Sequence, residues 1–113
     1  MINLDGARII PLSAIPAQRF KCVLGDQNCI IAIKKRGRHS YFSLVANGVN
    51  VVYNTICLCG NNLVPYKNQY FEGSIFFIDM SGHYSTPNYE EFNKRYRLVY
   101  IPYRIEEVEI TNA

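Results

Sequence analysis

The stretch Ala17-Gln18-Arg19-Phe20-Lys21-Cys22-Val23-Leu24-Gly25-Asp26-Gln27-Asn28-Cys29-Ile30-Ile31-Ala32-Ile33-Lys34-Lys35 decides the fold. Apolar and polar side chains alternate on both sides of a Gly-Asp-Gln-Asn break, the period of half-buried strands and not of a helix. The pattern predicts one strand over residues 17–24, a turn over 25–28 and a second strand over 29–35. Pairing Leu24 with Cys29 across the turn gathers Phe20, Cys22, Leu24, Cys29, Ile31 and Ile33 on one face. Arg19 and Lys21 fall on the other. Such a hairpin lays one face on a core and the other in water.

The same grammar continues downstream. Gly37 marks a reversal, and residues 40–46 form a third strand. Asn47-Gly48 then sits between two apolar runs, a strong hairpin signal because both central positions of a type I′ turn need φ > 0. A fourth strand extends from Val49 towards Cys59 and ends at Gly60-Asn61-Asn62, before a connection that begins Leu63-Val64-Pro65-Tyr66. Residues 73–79 (Gly-Ser-Ile-Phe-Phe-Ile-Asp) read as a strand apolar enough to lie between others. A loop over 81–88 carries Gly82 and Pro87, and Tyr89-Glu90-Glu91-Phe92 suits a short helical turn within 88–93, capped by Asn88. The last strand, 95–103, is apolar on both faces, so it is expected to be central or covered by a partner. The expected fold is all-β: a small single-domain sandwich or partly open barrel of about six to seven mostly antiparallel strands.

Composition agrees. In 113 residues, nine Tyr and six Phe stand against no Trp, which favours strands, and a hydrophobic share of 49% excludes a disordered chain. A chain of this size buries roughly two-thirds of its unfolded surface, enough for one core without staples. No apolar run approaches bilayer length. The opening Met1-Ile2-Asn3-Leu4-Asp5-Gly6 lacks the basic and apolar regions of a signal peptide, so the chain reads as assembled in a cytoplasm with its cysteines as thiols.

Two terminal segments flank the domain. Residues 1–16 read as an extended N-terminal arm. Pro11 and Pro16 fix φ and cannot donate to a ladder, so they bracket an unpaired element. Ile10, Leu12 and Ile15 would be costly to leave in water and must pack over a sheet edge or against another chain. Residues 104–113 form an acidic tail with Glu106, Glu107 and Glu109.

Chemistry-bearing constellations are sparse. Cys57-Leu58-Cys59 places one residue between its thiols, whereas structural zinc sites space each pair by two to four. Cys22, Cys29, Cys57 and Cys59 therefore read as small buried hydrophobes, with no metal assigned. His39 and His83 lack any nucleophile–base–orienter context, Glu90 and Glu91 are adjacent and point apart, and no glycine-rich phosphate cradle is present. No catalytic residue and no cofactor is expected.

One basic cluster remains, Lys34, Lys35, Arg36 and Arg38 with His39, near Tyr41 and Phe42. Such a cluster can neutralise phosphates beside stacking surfaces, which makes a small nucleic-acid-binding β-barrel the alternative function. It straddles a turn, however, where charges commonly solvate a hairpin tip, and the net charge of +3 is mild for a dedicated nucleic-acid binder. The tyrosines crowd the second half, and together with the arm and the last strand they imply more adhesive surface than a monomer needs. Exposed Tyr faces also admit a third reading, a carbohydrate-binding module.

The order of these pieces resembles a family of small phage tail proteins, the baseplate plug or central hub domain of contractile-tailed (myovirus-type) phages. The residues that carry the resemblance are Ile10-Pro11-Leu12-Ser13-Ala14-Ile15-Pro16 with Gln18 and Phe20, the Gly60-Asn61-Asn62-Leu63-Val64-Pro65-Tyr66 bend and the 73–79 strand. Pro87-Asn88-Tyr89-Glu90-Glu91-Phe92 followed by Arg95-Tyr96-Arg97-Leu98-Val99-Tyr100 completes it, over about residues 8–103. Cys57-Leu58-Cys59 and the basic turn depart from the family pattern. The resemblance implies a non-enzymatic component of the virion tail baseplate, assembled in the host cytoplasm. Its implied partners are other baseplate and tail tube or hub proteins, met as a symmetric homo-oligomer; no membrane partner is expected, and nucleic acid is the less favoured partner. Within that reading Ile10, Leu12, Ile15, Phe20, Tyr96 and Tyr100 are the expected interface anchors.

Overall fold

A computed structural model describes residues 6–64, 69–83 and 85–104. Among these residues, seven strands make two antiparallel sheets: β1 (Arg8–Ile10), β2 (Ala17–Leu24), β3 (Gln27–Arg36), β4 (His39–Ala46), β5 (Val49–Ile56), β6 (Ser74–Asp79) and β7 (Tyr96–Ile101). One sheet has the order β2-β3-β4-β5 and the other β1-β7-β6. Both lay an apolar face on a shared core, so the molecule is an open sandwich, one of the two architectures expected. Ile31, Ile33, Phe42 and Leu44 come from the first sheet and Ile10, Ile75, Phe77 and Leu98 from the second. Fully burying one such side chain stabilises by about 1.5–3 kcal/mol. A stacked pair, Phe77 on Phe92 at 5.4 Å, brings the Tyr89–Glu91 3₁₀ turn onto this core. Asn88 caps the turn, its side chain accepting from the Glu90 N–H, as expected.

The first hairpin is tighter than the sequence suggests. Leu24 pairs with Gln27 and Cys22 with Cys29, so Leu24 does not face Cys29. Gly25, at φ +63°, takes the first central position of a two-residue turn, where a type II′ turn requires glycine. The slip is two residues and the side-chain period is two, so every side chain keeps its predicted face. Gln27 then has a second role. Its side chain accepts from the Glu72 N–H and donates to the Glu72 carbonyl, tying this hairpin to the connection before β6. Asn47 and Gly48 at φ +49° and +82° form the expected I′ turn.

Three further expectations change. The arm is not wholly unpaired, because Arg8–Ile10 pairs antiparallel with β7. Its prolines lie beyond that pairing, at positions that need no ladder donor. β6 does not lie between two strands. It has one ladder partner, β7, and on its other side meets only the isolated bridges from Cys59 and Asn62. β5 stops at Ile56, so Cys57-Leu58-Cys59 crosses to the other sheet. β7 is central, as its two apolar faces require: Tyr96, Leu98 and Tyr100 enter the main core, while Val99 and Ile101 join Phe76 in a second cluster on the far side. The acidic tail from 105 onwards, residues 1–5 and the Pro65-Tyr66 end of the connection lie outside the described residues.

Candidate interaction surface

Four of the six expected anchors hold the chain's own core. Ile10 (2% exposed), Leu12 (8%), Tyr96 (3%) and Tyr100 (2%) are buried between the sheets. They face inward in the folded domain, because the four-stranded sheet covers the apolar faces of β1 and β7 that the sequence left unpartnered. Ile15 (44% exposed) remains at the surface and Phe20 is half-buried. These two border a groove of about 530 Å³ between the segment after β1 and the strand β2, whose lining also includes Ile10, Pro11, Arg19, Lys21 and Cys22. Gln18 fastens the segment to the strand: its side chain accepts from the Ser13 N–H at 3.1 Å and donates to the Ser13 carbonyl at 2.8 Å.

β2 is the end strand of its sheet, and its register says which backbone groups are free. The Lys35 N–H donates to the Pro16 carbonyl, so hydrogen-bonded pairs fall at Gln18–Ile33, Phe20–Ile31 and Cys22–Cys29. The N–H and C=O of Ala17, Arg19, Lys21 and Val23 therefore point away from β3. Arg8 takes one of them, donating from Nη1 to the Val23 carbonyl at 2.9 Å. Among the described residues, no hydrogen bond reaches the backbone groups of Arg19 and Lys21.

The other three sheet ends are blunted. β1 is only three residues long. β5 carries register shifts and Asn54 at φ +52°, whose N–H donates to Ser43 Oγ, a bulge that bends the edge. β6 is sealed. Its Ile75 and Phe77 carbonyls accept from the Leu63 and Gly60 N–H groups, and the Ile75 N–H donates to Asn62 Oδ1.

The basic cluster is divided by the pleat. Lys34 and Arg36 share the outer face of their sheet with Arg19 and Lys21, while Lys35 points the other way with its ammonium 5.5 Å from the centre of the Tyr89 ring. Arg38 lies on a cleft shared with Pro87, Asn88 and Glu90. Among the described tyrosines, Tyr53, Tyr70 and Tyr103 are exposed, with Tyr53 the most so at 80%.

The thiols occupy separate places. Cys22 faces Cys29 across β2 and β3, Cys57 is in the core, and Cys59 bridges to Phe77. Burial pushes Cys57 up to about 12 and Cys29 and Cys59 up to about 11, and raises Cys22. All four are thus protonated at neutral pH, the form that neither attacks nor ligates well. Among the described residues no three His, Cys, Asp or Glu side chains gather as a metal site. A larger hollow, about 760 Å³ between the two hairpin turns, is lined by Asn28 and Asn47, but these bond to each other. Lys21 is the one charged side chain on its lining. Among the described residues, no helix is long and apolar enough to cross a membrane.

One polar site is missing from the sequence reading. Asp79, its side chain 1% exposed, receives Arg95 Nε at 2.9 Å and Nη2 at 3.0 Å, with Ser81 and Ser85 donating as well. The Arg95 hydrogen bonds lead in holding its carboxyl well below the usual range, with Ser81 and Ser85 adding to them against the cost of burial. The arrangement pins the loop after β6 to the start of β7. An acid closing an apolar strand, two residues before Ser81, is the local signal of such a turn; Arg95 as its partner emerges only from the pairing of β6 with β7.

A family model described as the cyanophage baseplate Pam3 plug gp18 matches residues 7–103. No curated protein matches the chain.

Proposed function

This chain belongs to the cyanophage baseplate plug family, a structural protein of the virion tail baseplate, and from that premise we propose that it joins the tail tube or hub to surrounding baseplate subunits through strand-edge contacts and its N-terminal segment. The observation that supports this is the open edge of β2, beside a groove that presents Ile15 and Phe20. An exposed edge offers main-chain hydrogen bonds for affinity and alternate side chains for register. Ile10, Leu12, Tyr96 and Tyr100 serve the contact indirectly, by holding the two sheets that set the groove's walls. Symmetric copies would repeat the contact around the tail axis. The plug acts by contact and carries no catalytic step.

Cross-linking mass spectrometry on purified particles, with the chain quantified against the tube protein, tests this. A low, symmetric copy number with links from Lys21 to hub or tube proteins is the expected result. Absence of the chain from the particle would overturn it.

A further inference from the structure

We propose that the groove along β2 accepts an extended strand from another baseplate protein, and that this strand carries carboxylates at alternate positions with apolar side chains between them. The inference rests on the plug reading and supplies the chemistry of one partner. The backbone groups of Arg19 and Lys21 point outward with no hydrogen bond to any described residue, while Arg8 on the Val23 carbonyl ends the open run. An added antiparallel or parallel strand would satisfy the open groups and extend the four-stranded sheet to five.

The side chains of such a strand alternate between two different surroundings. On the outer side they meet Arg19 and Lys21, with Lys34 next to them on β3. Among the described residues the one ion pair is Arg95 with Asp79, at 2.9 Å and on the other sheet, and β2 to β5 contain no Asp or Glu, so no described carboxylate pairs with these cations. On the inner side the added strand meets Phe20 and Cys22, both half-buried, and the exposed Ile15. Carboxylates on one side and apolar groups on the other are the complement.

Two alternatives for Arg19 and Lys21 must be separated from this. Charges on an edge strand also serve to keep edges apart. They disfavour a second copy of the same edge, since like charges placed opposite one another repel. A guard works with either sign of charge, whereas a docking site does not. The alternating pattern Glu107-Val108-Glu109-Ile110 in this chain is a second acidic candidate, and the test therefore has to tell a foreign strand from the chain's own tail.

The test places a photo-cross-linking benzoylphenylalanine at Ile15 in particles assembled with the otherwise native chain, and repeats it with Arg19→Glu and Lys21→Glu together. The expected result is a link to a carboxylate-rich segment of another baseplate protein, falling at least tenfold in the double variant along with the copies retained per particle. The purified double variant keeps its thermal midpoint, and Arg19→Lys with Lys21→Arg keeps the link. An undiminished link after charge reversal would overturn the inference and leave the cations as guards. So would a link to nucleic acid, to a segment without carboxylates or to residues 105–113 of this chain. Each of these leaves the plug reading standing. Absence of the native chain from the particle removes both.

Discussion

β6 and β2 each end a sheet, and the chain treats them in opposite ways. β6 runs Ser-Ile-Phe-Phe-Ile-Asp with all but one residue buried, and residues 60–63 cross its free side to satisfy its backbone. β2 alternates half-buried and exposed residues along its length, and among the described residues nothing claims the N–H and C=O groups of Arg19 and Lys21. Exposed edges are a liability that folded proteins usually cover, shorten or bend. Here three of the four sheet ends are treated so, and one straight eight-residue edge is left. The difference separates the parts that hold the fold from the part free to meet another chain.

The largest effect expected is on the sealed side. Phe77→Ala removes a fully buried ring stacked on Phe92 and should cost about 3–5 kcal/mol in denaturant unfolding. Phe20→Ala, on the open strand, should cost well under half of that. Equal costs would mean that β2 is bound to the core as firmly as β6, and would break the contrast.

Gly73→Ala should come next, at roughly 1–3 kcal/mol. Gly73 sits at φ +130° just before β6, and an added Cβ would stand 2.5 Å from Tyr100 Cε1 and 2.8 Å from the Ile101 carbonyl oxygen. Full stability in this variant would show that the entry to β6 is less tightly set than its geometry requires.

The acid limb of stability should depend on Asp79. Its carboxyl is depressed in the folded state, so its contribution is present above the unfolded value of about 3.9 and is lost as pH falls from there through the folded value. Melting followed from pH 6 down to pH 2 should show this loss, and Asp79→Asn should lower stability at neutral pH and flatten the acid limb. An unchanged limb would assign acid sensitivity elsewhere.

The smallest stability change belongs to the open edge. Arg19→Glu with Lys21→Glu should shift unfolding by about 0.5 kcal/mol or less, as surface changes commonly do. Amide exchange sharpens the point. The N–H groups of Arg19 and Lys21 should exchange fast and those of Phe20 and Cys22 slowly, whereas Ile75 on β6 should be protected by Asn62. Protection at Arg19 and Lys21 in the isolated protein would mean that the edge is already covered.

Much of this arrangement is legible in the sequence because it rests on local periods. Alternation over residues 17–35 announces the hairpin, Asn47-Gly48 the I′ turn, and the two apolar faces of β7 its central place. Even the turn at Gly25, tighter than predicted, leaves each side chain on its predicted face, since a two-residue slip preserves parity. What the sequence withheld was the partner of each apolar surface. Ile10, Leu12, Tyr96 and Tyr100 look like adhesive surface in one dimension, because nothing local distinguishes a face buried by a neighbour from one buried by a distant strand.

The strands, most of their turns and the side-chain faces depend on residues a few positions apart, so the order of amino acids was enough to set them. Long-range packing alone decided that Arg8–Ile10 joins β7, that Asp79 meets Arg95 and that residues 60–63 seal β6 while β2 stays open. Those outcomes depend on which segments meet across the sandwich, and no local pattern in the chain encodes that meeting.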